Sequence, residues 1–188
     1  MTSAMFGLLG VLLGGFITII KEVLFRRNKT QKDSLYLSII VSTQLERFVS
    51  QCIDAVNDDG LYHGQRNPQG CLEVQTANPS FVIDGMQVDW QTLPANLMYE
   101  VLDLPYQIEK AQQIISSTFE YVASPPDYDE GFGERSYQYS ILGLKAADLV
   151  VRLRIHSKIP QRENSGWNPL HAMKENIEKY ERYRDSRT

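Results

Sequence analysis

The apolar positions of this chain fall into three regimes: a charge-free run at the N-terminus, long stretches at helical spacing, and a patternless insertion between them. Met1 to Ile20 contains no charged side chain. A helix of that length rises about 30 Å, the thickness of a bilayer's hydrocarbon core. From Phe16 to Asp59 there is neither Gly nor Pro. Within that stretch Leu37, Val41, Leu45, Phe48, Cys52 and Ala55 form one stripe at helical spacing, and Leu35, Ile39, Val49, Ile53 and Val56 a neighbouring one. Two adjacent stripes predict a wide buried helix face. Asn57-Asp58-Asp59-Gly60 has the composition of a helix stop. The polar segment Arg26–Asp33 reads either as a linker or as part of one long helix, and both readings stay open.

Residues 60–92 lose the helical period. Their clearest signal is Phe81-Val82-Ile83-Asp84-Gly85-Met86-Gln87-Val88, where Asp-Gly between short apolar runs predicts a small hairpin with a type I′ turn. Pro94 starts a short helix with Leu97, Val101 and Leu104 on its apolar side. Pro105 is expected to break it and open the next, which carries Ile108, Ala111, Ile115, Phe119 and Val122. Ser124-Pro125-Pro126 is a stop. A helix beginning near Asp127 follows, with Phe132, Tyr139, Leu142, Ala146, Leu149 and Leu153 on one stripe and Ile141, Leu144, Val151 and Ile155 on a second. Its two faces mark it as the central helix of a bundle. Asn168 as N-cap and Pro169 at the first helical position open a last helix. The thin apolar face of that helix (Leu170, Met173, Ile177, Tyr180) places it at the edge. The expected fold is mainly α: a transmembrane helix (1–25), a basic juxtamembrane segment (26–33) and a helical bundle (34–188) with a small β-hairpin insertion in 60–92.

Charge sharpens the first regime. No Lys or Arg precedes the apolar run and bulky residues follow it, so it lacks the basic start and small-residue cleavage site of a signal peptide. An interfacial helix would show a polar face along its length, and residues 4–20 have none. Lys21, Arg26, Arg27, Lys29 and Lys32 all follow the run. By the positive-inside rule they place the C-terminal domain in the cytoplasm and the N-terminus outside. Gly7, Gly10 and Gly14 share a helix face at i, i+3 and i+7, and Gly10 to Gly14 is a Gly-x-x-x-Gly motif, so close helix approach and self-association within the bilayer are expected. Glycine is also common in membrane helices, so the motif alone is weak.

Composition excludes more than it assigns. At 43% hydrophobic and 22% charged the chain is a folding sequence. A net charge of −4 argues against a nucleic-acid partner, which needs a concentrated positive face. Cys52 and Cys71 are too few for a disulfide framework and have no Cys-x-x-Cys or nearby His to form a zinc site, so both are expected to remain thiols. There is no P-loop, no Gly-x-Gly-x-x-Gly after a strand, no nucleophile elbow and no His-Glu-x-x-His. His63, His156 and His171 lie in a loop, a helix end and a helix start, where histidine is most often unremarkable. Asp127, Asp129, Glu130 and Glu134 could attract a cation, although an acidic helix start already explains them. Tyr99, Tyr106, Tyr121, Tyr128, Tyr137 and Tyr139, with Trp90 and Trp167, suit packing first and a contact surface second.

The segments Val88-Asp89-Trp90-Gln91-Thr92-Leu93-Pro94, Leu97-Met98-Tyr99, Ala123-Ser124-Pro125-Pro126-Asp127-Tyr128-Asp129-Glu130 and Tyr137-Gln138-Tyr139 resemble a group of uncharacterised bacterial single-span membrane proteins with a helical cytoplasmic domain. The resemblance implies a bacterial inner-membrane location and carries no activity. The expected function is therefore that of a membrane-anchored interaction or scaffold protein, self-associating through its span and binding an unidentified protein partner at the inner membrane face, without a cofactor. The alternative is a membrane-perturbing effector, toxin or holin-like, acting by oligomerisation of the span. An enzyme using His63, His156 or the acidic cluster ranks behind both.

Overall fold

The computed structural model describes residues 2–161 and 169–186; within the first helix, the side chains of residues 2–14 and of Ile19 are not described. Four α-helices follow in order: α1 Thr2–Val56, α2 Ala95–Tyr121, α3 Asp129–His156 and α4 Pro169–Asp185, with a 3-10 turn at Trp90–Thr92 between α1 and α2. The fold is mainly helical, as the apolar periodicity predicts.

α1 is one unbroken helix of 55 residues, about 80 Å long at 1.5 Å per residue. The segment 26–33 is helical throughout. Nothing in it interrupts the backbone hydrogen-bond ladder, since Gly and Pro are absent from Phe16 to Asp59. Burial divides the helix in two. Leu37, Val41, Leu45, Phe48 and Cys52 are fully buried, whereas every described side chain from Gly15 to Lys32 is exposed. The C-terminal half belongs to the bundle; the other half projects from it.

α3 packs against α1, α2 and α4 and is the central helix. Its buried positions Tyr139, Leu142, Ala146, Leu149 and Leu153 meet the α1 stripe and Leu97, Val101, Leu104, Ile108, Ala111 and Ile115 of α2 in one hydrophobic core. α4 contributes Met173 as its one buried residue among those described. Gly143 lets it approach: a Cβ there would lie 2.8 Å from Met173 Cε. Asn168 and Trp167 fall outside the described residues.

Three expectations are corrected. No hairpin forms, and the described residues contain no strand beyond an isolated bridge between Tyr62 and Gln65. A turn does occur at Asp84-Gly85, with the Met86 N–H donating to the Ile83 carbonyl at 3.2 Å. Gly85 has φ +82° and Asp84 is not in the positive-φ region. That pattern belongs to a type II turn, not type I′, and its twist splays the flanking segments instead of pairing them. Phe81 is buried against Phe48, ring centroids 6.4 Å apart, so the segment packs on helices. Pro105 does not end a helix; it sits inside α2. The missing N–H leaves the Val101 carbonyl without its usual partner, yet the buried positions 97, 101, 104, 108, 111 and 115 keep one register across the proline. Burial on both sides outweighs the local penalty. The second stripes, finally, do not make a wide buried face: Leu35, Ile39, Ile141, Val151 and Ile155 are exposed, because the first stripe of each helix points into the bundle. α3 starts at Asp129, near Asp127 as expected, after Tyr128 in the left-handed region at φ 53°. As for the span, no helix among the described residues is long and apolar enough to cross a membrane. Most of the charge-free segment Met1–Ile20 lies outside the residues with described side chains.

Candidate functional site

The projecting half of α1 carries the residues singled out from the sequence. Lys21, Arg26, Arg27, Lys29 and Lys32 are all exposed. Arg26 donates to Glu22 at 2.6 Å one turn away, an exposed pair worth little in water. Arg27, Thr30, Gln31 and Ser34 follow each other at i, i+3, i+4 and i+7, so Arg27 stands on the domain's side of the helix. Lys29 and Arg26 share another face with Asp33, at i−4 and i−7. Phe16, Ile17, Ile20, Val23, Leu24 and Phe25 form an exposed apolar band around Lys21 and before Arg26, with Phe25 74% exposed. The association face Gly7, Gly10, Gly14 lies outside the residues with described side chains.

Where α1 leaves the bundle, a cleft of about 420 Å³ opens beside it. Thr30, Gln31, Ser34 and Leu35 form one wall. Thr92 and the end of α3 (His156, Ser157, Lys158) form the other. Behind it Ser157 Oγ lies 2.6 Å from Ser38 Oγ and donates to the Ser34 carbonyl at 3.3 Å. The α3 terminus is closed by its own backbone: Lys158 N donates to Ile155 O and Ile159 N to Arg154 O. This is a Schellman-type end, with Lys158 at φ 56° where glycine is usual.

The most elaborate polar site is internal. Arg135 is 1% exposed. Its Nη1 donates to the Ala55 carbonyl at 2.9 Å and to Asp58 Oδ2 at 3.2 Å; its Nη2 donates to the Thr76 carbonyl and hydroxyl at 3.0 and 2.8 Å. Asp58 Oδ2 also accepts from the Gln75 and Thr76 N–H groups and the Thr76 hydroxyl, each at 2.9 Å. Its Oδ1 accepts from Gly60 N at 3.0 Å. Burial alone would raise the Asp58 carboxyl, but these donors hold it below the ordinary carboxylate range. Burial pulls the Arg135 pKa down, and Asp58 offsets part of that. Arg135 also lies over the Tyr139 ring, 5.6 Å from its centroid. The pair joins α1, α3 and the irregular segment through Thr76 and is structural. Arg135 has a sequence signal: it falls in the stripe Phe132, Tyr139, Leu142 at the i+3 position, a charge on a core face.

The remaining candidates disperse. Asp127 pairs with Arg66, and Glu134 accepts from Gln138 and from Tyr180, at 2.6 and 2.8 Å. Among the described residues no group of three or more His, Cys, Asp or Glu is placed to hold a metal. His63 packs against the Tyr62 ring at 4.4 Å, His171 faces Glu175 at 3.4 Å, and His156 lines the cleft. Cys52 is buried and its thiol is pushed far above the ordinary range by desolvation; Cys71 is half-buried. On α2, Glu100 holds Arg152 through two bonds of 2.6 and 2.7 Å, which keep the Glu100 carboxyl below its usual range. Tyr139 is in the core, whereas Tyr99, Tyr106 and Tyr121 are exposed. The chain matches no protein-family model, and neither curated proteins nor solved structures gave a match.

Proposed function

We propose that this protein is a membrane-anchored interaction module, holding a helical domain at the inner face of a bacterial membrane. The observation that supports it is the division of α1. One unbroken helix is half core and half free of the domain, and the free half runs from exposed apolar residues into a basic flank. A soluble bundle gains nothing from such an extension, because a helix half buries no core. A bilayer would cover its charge-free segment, and anionic headgroups would attract Lys21, Arg27, Lys29 and Lys32. Self-association through Gly7, Gly10 and Gly14 is part of the reading. The partner-binding surface is the outer face of α2, where Tyr99, Leu102 and Tyr106 are exposed together at helical spacing, tyrosine being enriched in protein interfaces.

Alkaline extraction of membranes from expressing cells tests the anchor: the full chain stays in the pellet. A photo-crosslinking residue at Tyr106 tests the surface, and at Lys174 serves as control. A defined adduct from position 106 alone supports the module. Release of the chain by alkali, or identical adducts from both positions, contradicts it.

A further inference from the structure

We infer that the cleft between α1 and the end of α3 is a binding site for a phosphate-type anion. Its walls offer hydrogen-bond donors and no carboxylate. Lys158 contributes an ammonium, Gln31 an amide, Thr30 and Ser34 hydroxyls and His156 a ring N–H. Among the described residues no other side chain makes a hydrogen bond or ion pair with the side chains of Thr30, Gln31, His156 or Lys158. Among the described residues, Asp33 lies on the helix face of Arg26 and Lys29, and the Asp89 carboxylate accepts from Gln91 N at 3.1 Å. The end of α3 would ordinarily repel an anion. Here the carbonyls of Leu153, Arg154 and Ile155 are taken by the N–H groups of Ser157, Ile159 and Lys158, and the Lys158 ammonium offsets the negative end that remains. Lys158 occupies a left-handed position that glycine would hold without strain.

Position supplies the source. Anchoring is needed here only to bring the cleft to the headgroups; the anion chemistry stands without it. With Phe25 at the edge of the hydrocarbon, a headgroup layer of about 5–8 Å covers about four or five helical residues. It ends near Thr30, the first residue of the cleft. Arg27 stands one turn above, on the same side of α1 as Gln31 and Ser34. A phospholipid phosphate at that level meets Arg27 from above and Lys158 from below.

The test is lysine acetylation of the full-length protein, read by mass spectrometry in phosphate-free maltoside detergent, in the same detergent with inorganic phosphate, and in nanodiscs containing phosphatidylglycerol. Lys179 on α4 is the internal reference, and Lys29 and Lys32 report general surface potential. Lys158 is expected to be protected about threefold or more by phosphatidylglycerol, beyond Lys29 and Lys32. The T30V/Q31A double variant removes donors without changing charge and restores Lys158 reactivity. Protection by phosphatidylglycerol alone identifies a lipid phosphodiester; protection by inorganic phosphate as well identifies a general phosphate site. Equal reactivity of Lys158 in all three conditions, or protection unchanged in T30V/Q31A, overturns the inference. A chain that fails to enter nanodiscs defeats the anchor, and the inorganic phosphate arm then judges the cleft by itself.

Discussion

Replacing Asp58 with Asn removes one negative charge and changes almost no volume, so it isolates the buried ion pair. In the native protein Asp58 receives Arg135 Nη1, two N–H groups and a hydroxyl on one oxygen, and the Gly60 N–H on the other. Every one of these is a donor. An amide NH2 in place of Oδ2 faces four donors with two more; in place of Oδ1 it faces the Gly60 N–H. Either orientation breaks hydrogen bonds, and both leave Arg135 without its counter-charge. Breaking a buried pair in this way costs about 3–5 kcal/mol. A domain of this size holds about 5–15 kcal/mol in total, so the variant loses a large fraction of its stability. The assay is urea unfolding in micelles of the full chain carrying Trp167→Phe, followed by fluorescence of Trp90, which packs against the core. Amide exchange over residues 73–77 runs in parallel, so detachment of the irregular segment alone is also seen. The pH dependence has a definite sign. The folded Asp58 pKa is depressed, so its contribution is present above the unfolded value of about 3.9 and is lost as pH falls through the folded pKa. The gap between native protein and variant is therefore widest above about pH 4 and closes in stronger acid. A loss under about 1 kcal/mol, or a gap constant from neutral pH into acid, refutes the assignment of the pair as the pin of this segment.

Three further predictions follow from the same geometry. Pro105→Ala should raise the stability of α2 by about 1–3 kcal/mol, since it restores a donor to the Val101 carbonyl; a lower thermal midpoint would contradict this. Gly131→Ala should destabilise by about 1–3 kcal/mol, because the new Cβ lies 2.5 Å from Phe119 Cδ1, and calorimetry decides it. In the folded protein a thiol reagent should modify Cys71 and spare Cys52, whose sulfur is buried and held protonated; equal rates for both would show the core to be open.

The first stripe of each helix was readable because burial repeats at the helix period, whereas Leu35, Ile39, Ile141, Val151 and Ile155 of the second stripes are exposed. The α1 stripe from Leu37 to Ala55 and the α3 stripe from Tyr139 to Leu153 are buried as their spacing demands. α2 holds the same lesson in a less obvious form. Its apolar register continues from Leu97 through Leu104 to Ile115 without a slip, and that continuity outranks Pro105 as a local breaker. At Asp84-Gly85 the sequence marks a turn, but turn residues do not specify what the flanks do. Phe81 finds Phe48, and no strand partner forms. Arg135 was visible only as an anomaly, a charge on an apolar stripe. Its partner Asp58 was hidden, because Asn57-Asp58-Asp59-Gly60 looks complete as a helix stop and Thr76 is remote in the chain. The cleft could not be read at all: its walls lie more than a hundred residues apart, as the Ser38–Ser157 contact shows.

The proposed anchor requires α1 to pass from the bilayer into the bundle as one helix. Single cysteines placed one at a time along residues 3–35, in a chain with Cys52 and Cys71 replaced by Ala, can be labelled with an impermeant maleimide in right-side-out and inverted membrane vesicles. No labelling is expected through the apolar run from either side. Labelling should begin near Arg26, only in inverted vesicles, and persist until α1 enters the domain at Ser34. Labelling of residues 5–20 from the same side as residues 26–33 would contradict it.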